Sequence, residues 1–234
     1  MKQVHGWWFP DWEQHFQGYF NSFAKTTKEY PVPYQKAQRD YALSFVTSWR
    51  NMIDVGGNVG TWSRPLGTRF THVYAFEPHP ENRECYLRNM ESTTNFTLHP
   101  YALSEQAGVF PLYIHDTSCG NISLNLKGVL DGPTPAAGKP SMDNIKTIQV
   151  EVKTLDSFNF ANIDFIKIDV QGHEFGVLKG ATQLLTQQRP VLVMELATRS
   201  PAEIAEKTAI TEWLQQFGYV LRGNRNKETV YTKQ

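Results

Sequence analysis

Four short apolar runs of this chain each carry a carboxylate at the carboxyl end. Asp54 follows Met52-Ile53, Glu77 follows Val73-Tyr74-Ala75-Phe76, Asp169 closes the run from Ile163, and Glu195 follows Val191-Leu192-Val193-Met194. Helical patterns separate the runs: Glu81 to Met90, His173 to Gln188, and Glu203 to Phe217, closed by Gly218. A further strand region runs from Phe96 to Leu103. Strands that alternate with helices argue for a parallel sheet covered on both faces. Such sheets bind ligands beyond the carboxyl ends of their strands. The four acids are therefore expected along one ligand-bearing edge. Tyr219 to Leu221 and Thr229 to Tyr231 read as a closing hairpin across Gly223-Asn224.

The first strand runs into a glycine loop, I-D-V-G-G-N-V-G, from Ile53 to Gly60. Glycine lets backbone approach a ligand closely at a strand-to-helix turn. A dinucleotide fingerprint needs G-x-G-x-x-G. Counted from Gly56, its third position is Asn58; counted from Gly57, it is Val59, so both registers fail. The pattern is acid-x-Gly-x-Asn-x-Gly, which resembles the first motif of S-adenosylmethionine-dependent methyltransferases. Asn58 stands in the middle glycine slot, and Asn tolerates left-handed backbone. S-adenosylmethionine carries an ammonium group and a carboxylate but no phosphate. Asp54 can receive the ammonium, and the N–H groups of the loop can receive the carboxylate. Glu77, 23 residues after Asp54, has the acceptor pairs to take both ribose hydroxyls. Pro65 lies early in the next helix and should keep it short or kinked.

Further stretches follow in a fixed order: Y-A-F-E-P-H-P, Y-A-L-S-E, T-L-D-S-F, I-D-F-I-K-I-D-V-Q-G-H-E-F-G-V-L-K-G-A and R-P-V-L-V-M-E-L. Together with the glycine loop, they resemble the FkbM-type methyltransferases over roughly residues 51–196. The resemblance implies an α/β fold, the Rossmann-like class I methyltransferase fold. Its sheet has seven mostly parallel strands, helices on both faces and an antiparallel C-terminal strand. It implies methyl transfer from S-adenosylmethionine to a hydroxyl oxygen, often on a sugar or polyketide; a sugar or glycan is the acceptor expected here. It places Asp54, Gly56, Gly57, Asn58 and Gly60 at the methionine end of the cofactor, Glu77 and Pro78 at the ribose, and Ala102 and Leu103 at the adenine edge. Ala102 and Leu103 read equally as core residues at a strand end. Gln171 stands where many relatives have Glu, a replacement common in the family.

Methyl transfer to oxygen needs in-line approach of the acceptor and a group that removes its proton. Asp169 ends the strand nearest the expected methyl group and ranks first as base, with a place beside the cofactor. Lys167 shares its strand face and can pair with it or serve as a structural charge. Glu174 is the next candidate, although acids also favour first helical turns. His173 has a suitable pKa range but reads as a helix-start residue. No His/Cys cluster points to zinc, and no metal ligands are assigned. Glu195 can join Asp169 around a divalent ion such as magnesium, or anchor a sugar hydroxyl.

Residues 1–50 form an aromatic-rich extension, expected to be helical, ahead of a methyltransferase domain over 51–234. Phe9, Trp12, Phe16, Phe20 and Phe23 recur at helical steps, with Asp11 as start signal. That stripe can pack on the domain or stack on a substrate. A second helix is expected from Gln35 to about Trp49. The segment 117–144, rich in Gly, Pro, Ser and Asn, interrupts the alternation between strand regions Val109–Ile114 and Thr147–Val152. A loop this long is usually functional or disordered. Zero formal net charge makes a nucleic-acid partner unlikely to be held by bulk charge. Cys85 and Cys119 give no disulfide framework, which points to a cytoplasmic setting. No signal peptide or apolar span is expected, and oligomeric state is not legible. The competing class is a non-catalytic S-adenosylmethionine-binding module that serves a protein partner.

Overall fold

A computed structural model describes residues 1–132, 141–225 and 227–234. The chain opens with a hairpin, β1 (Lys2–Val4) and β2 (Trp7–Phe9), followed by α1 (His15–Phe23) and α2 (Lys36–Leu43). Next come β3 (Asn51–Val55), α3 (Ser63–Leu66), β4 (His72–Phe76), α4 (Pro80–Asn89) and β5 (Phe96–His99). Strands β6 (Ala102–Leu103), β7 (Gly108–His115) and β8 (Ile122–Ser123), with α5 (Leu126–Leu130) and β9 (Ile145–Lys153), make the insertion. The chain closes with β10 (Ile163–Ile168), α6 (Glu174–Lys179), α7 (Thr182–Gln188), β11 (Val191–Glu195), α8 (Pro201–Gln215), β12 (Tyr219–Arg225) and β13 (Glu228–Lys233).

The main sheet has seven strands in the order β12-β13-β11-β10-β3-β4-β5. Pairings β10–β11, β10–β3, β3–β4 and β4–β5 are parallel, and β13 is antiparallel to both of its neighbours. The expected class I methyltransferase architecture is thus present. Strands β3, β10 and β11 are buried on both faces, which is why their apolar runs are continuous. One core cluster joins Ile53, Ile166, Ile168 and Leu192 to the helices through Val177, Leu178 and Leu214. A second, on the other face, joins Met52, Phe165 and Val193 to Ala42, Trp62 and Leu66. A four-stranded sheet, β6-β9-β7-β8, stands beside the main one.

Several local expectations are revised. Phe9 and Trp12 lie outside the first helix, which starts at His15. The buried Glu13 carboxylate accepts the N–H of Phe16 at 2.7 Å and also that of Cys119, so an acidic side chain fixes the helix start. Helix α2 stops at Leu43 rather than reaching Trp49. The strand region from Phe96 to Leu103 is two strands in two different sheets, parted at Pro100. The helix expected from His173 to Gln188 is broken at Gly180, where an added Cβ would lie 2.1 Å from the Ser104 carbonyl oxygen. Close approach of the chain from β6, not helix propensity, selects glycine there. Gly223-Asn224 lies inside β12, next to a register shift, and is not the turn. Pro65 does confine α3 to four residues. Within the interrupting segment, Gly132 to Pro140 lies almost wholly outside the described residues. The rest forms β8, α5 and short turns beside the sheet edge.

Candidate active site

A cavity of about 800 Å³ opens at the carboxyl edge of β3, β4, β10 and β11. Asp54, Gly56, Gly57, Asn58, Glu77, Pro78, Ala102, Leu103, Lys167 and Asp169 all line it. Of the expected site residues, Gly60 and Glu174 do not. Gly60 (φ +87°) faces the buried Tyr86 ring beneath the loop. The carboxylate of Glu174 accepts N–H groups from Val170 (3.1 Å) and Gly172 (3.0 Å), which ties the strand to the helix that follows it. Burial pushes Glu174 up to about 8. Its place is structural, and the base role considered for it finds no access to the cavity.

The loop geometry explains its sequence. Gly56 has φ +78°, and a Cβ there would lie 1.9 Å from the backbone oxygen of Asp169. Only glycine lets β3 turn out against the end of β10. Asn58 takes the left-handed conformation (φ +48°) and donates its N–H to Glu77 Oε2 at 2.8 Å. Glu77 Oε1 accepts the N–H of His79 at 2.8 Å. Each oxygen keeps a lone pair for a further donor. Burial pushes Glu77 up to about 7, against those two N–H groups. Asp54 lies under the loop and accepts the Ser63 hydroxyl at 2.5 Å. Burial raises it to about 6, eased by Ser63 and Lys167.

At the other end of the cavity, Lys167 Nζ stands 3.1 Å from Asp169 and 3.6 Å from Glu228. Burial lowers its pKa, but Asp169, Glu228 and Glu195 outweigh that and raise it overall. The ammonium also lies 5.1 Å from the Trp62 ring centroid. Gln171 donates to Asp169 Oδ1 at 2.6 Å. Glu195 pairs with Lys227 at 3.2 Å. Asp169, Glu195 and Glu228 each offer an oxygen within 4.8 Å of the others, so these three could hold a divalent cation. Such an ion would share the space with the Lys167 ammonium. His173 lines the cavity wall with its ring held by Ser104 at 2.9 Å, and burial lowers its pKa.

Glu228 is the residue that the strand-end pattern misses. In an antiparallel closing strand the first residue, not the last, reaches the edge where its neighbours end; Glu228 is accordingly paired with Glu195. The aromatic extension divides its work. Phe9 and Phe20 are fully buried against Val59, Cys85 and Cys119, whereas Phe16, Tyr19 and Phe23 also reach the cavity. Ser118 to Gly120 of the insertion complete the rim. No helix among the described residues is long and apolar enough to cross a membrane.

The family model described as the methyltransferase FkbM domain matches residues 54–221. The chain belongs to the FkbM methyltransferase family. It is an S-adenosylmethionine-dependent methyltransferase, the enzyme class expected from the sequence. It is 29% identical over 181 residues to the hexuronic acid methyltransferase AglP of Haloferax volcanii, covering 74% of this chain and 70% of that one. It is 28% identical over 144 residues to Methyltransferase 1 of Beauveria bassiana, covering 55% and 57%. Among solved structures, the FkbM methyltransferase of Methylobacillus flagellatus KT shares the fold, with TM-score 0.52 at 18% identity. The match covers 82% of this chain and 47% of that one, so the chain spans about half of that FkbM protein.

Proposed function

We propose that the protein transfers the methyl group of S-adenosylmethionine to a hydroxyl oxygen of a sugar or glycan. The observation that carries this reading is the arrangement of carboxylates in one cavity: Asp54 and Glu77 at the cofactor end, Asp169 and Glu195 at the other. The similarity to a hexuronic acid methyltransferase supports a sugar acceptor. The cavity suits the cofactor. Asp54 would face the ammonium, the Gly56–Asn58 backbone the carboxylate, Glu77 the ribose hydroxyls, and Ala102 and Leu103 the adenine. Bound there, S-adenosylmethionine supplies an electrophilic methyl carbon. Asp169 takes the proton of the acceptor hydroxyl, and Lys167, at 3.1 Å, orients it. Glu195 is open enough, at 15% exposure, to accept a hydrogen bond from a neighbouring hydroxyl. A non-catalytic cofactor-binding module would have little need for carboxylates at the acceptor end.

Calorimetry with S-adenosylmethionine, and separately with NAD, tests the cofactor half. Micromolar-range affinity for the methyl donor alone is expected, and its absence would sink the reading. Radiolabelled methyl transfer to p-nitrophenyl β-D-glucuronide and p-nitrophenyl β-D-glucoside tests the acceptor half.

Cofactor affinity should also depend on pH. In the free protein Asp54 and Glu77 are raised to about 6 and about 7, so both bind protons that the cofactor's ammonium disfavours. Affinity is therefore expected to strengthen as pH rises from 5.5 to 8, by at least about tenfold. The free protein behaves in the opposite sense. At these two groups it binds more protons than the unfolded chain, so their contribution to its stability falls as pH rises through about 6 to 7. Calorimetry and thermal melts across the window check both signs.

A further inference from the structure

The aromatic stripe of the N-terminal segment is the sequence feature that the steps above leave without work. Phe9 and Phe20 are consumed by the core. Tyr19 and Phe23, four residues apart on α1, line the cavity instead. Their rings are stacked, with centroids 5.0 Å apart and planes at 19°. Phe23 is 42% exposed, so one end of this apolar shelf is open. The shelf is continuous with the reacting end of the cavity. Tyr34 packs edge-on against Tyr19 at 5.2 Å. Its neighbour Gln35 accepts the indole N–H of Trp62 at 2.7 Å, and the Trp62 ring lies 5.1 Å from the Lys167 ammonium beside Asp169.

The charges of the same cavity restrict what an acceptor on that shelf can carry. Three lysines and no arginine line it among the described residues. Each lysine is already paired: Lys36 with Asp40 at 2.6 Å, Lys227 with Glu195 at 3.2 Å and Lys167 with Asp169 at 3.1 Å. A carboxylate on the acceptor would meet carboxylates where it needs a free cation, and like charges brought together are costly. We propose that Tyr19 and Phe23 form a stacking shelf for the acceptor ring, and that this ring is an uncharged sugar, not a uronate. The inference rests on the sugar-methylation reading and narrows its substrate class. A pyranose has an apolar face of C–H bonds and a rim of hydroxyls. The face lies on the two aromatic rings, which bury it against rigid surface. The rim donates hydrogen bonds to the partly exposed carboxylates, which accept from hydroxyls without a change of charge.

Saturation-transfer NMR of the full chain, with S-adenosylhomocysteine present, tests the proposal. The probes are the methyl glycosides of β-D-glucose, β-D-galactose, α-D-mannose and α-L-rhamnose, with methyl β-D-glucuronide as the charged match to the first. At least one uncharged glycoside is expected to receive saturation on its ring C–H protons and to bind more tightly than the glucuronide, by about tenfold. Phe23→Ala, a change at an exposed position, should weaken that glycoside about tenfold and leave S-adenosylhomocysteine affinity within about twofold, and Phe23→Tyr should restore it. A purely structural shelf would move both affinities together or neither. Saturation of no uncharged glycoside, equal or tighter binding of the glucuronide, or undiminished binding to Phe23→Ala would each overturn the proposal. Calorimetry with S-adenosylmethionine on the same samples separates the two levels. Absent donor binding fails the methyltransferase reading, whereas donor binding with a preference for the glucuronide keeps that reading and overturns this inference alone.

Discussion

Asp169→Asn is expected to bind S-adenosylmethionine within about threefold of the native affinity and to lose methyl transfer by about 10²- to 10⁴-fold, the usual share of a positioned general base. Asn has the size and shape of Asp, and the Gln171 side chain can still be hydrogen-bonded at this position. The loop contacts that shape the cofactor end do not involve the Asp169 carboxylate: Gly56 packs against the Asp169 backbone oxygen, and Asn58 is held by Glu77. What the substitution removes is the carboxylate just past the end of β10 that lines the cavity and is partly open, at 22% exposure, next to the Lys167 ammonium. An amide cannot accept the proton. Calorimetry paired with radiolabelled methyl transfer separates the two effects. Retention of full transfer would remove Asp169 from the base role and leave Glu195, the other partly exposed carboxylate of the cluster, as the group to test.

How far the sequence reached depended on what each residue answers to. The strands that face core on both sides were legible because burial dictates continuous apolar runs, and β3, β4, β10 and β11 stand where those runs predict. The acids at their ends were legible for the same reason, since a carboxylate at the close of such a run has little to do with packing. Residues whose role depends on a distant segment were not. Gly180 splits a helix because the Ser104 carbonyl oxygen crowds it, and Glu13 starts α1 by reaching Cys119, more than 100 residues away. Glu174 looked like a site residue because its neighbours line the cavity, yet its carboxylate turns back to the N–H groups of Val170 and Gly172. Glu228 escaped because chain direction reverses in β13, which puts a strand's first residue where the pattern looks for the last.

The largest effect on stability is expected from Lys167→Met. Methionine keeps most of the apolar stem, so the change chiefly removes the charge, together with its contact to the Trp62 ring. Asp169 and Glu228 then lose an ammonium at 3.1 Å and 3.6 Å, inside a region where Glu228 has no other partner among the described residues. Removing one member of a buried ion pair typically costs about 3–5 kcal/mol, because the remaining charge is left uncompensated. The loss should depend on pH in a definite direction. Without the lysine, Glu195 and Glu228, already raised by burial, are pushed further above their ordinary range. The native state of the variant then binds more protons than its unfolded state from about pH 5 upward, so its stability falls as pH rises. At pH 5.5 protonation relieves the repulsion and the gap to the native protein narrows; at pH 8 it is widest. Urea unfolding at the two pH values reads this directly. A gap of the same size at both would show that Lys167 matters for shape rather than charge. A gap below about 1 kcal/mol at pH 8, as for a surface pair, would show that the three carboxylates are not held together by its charge.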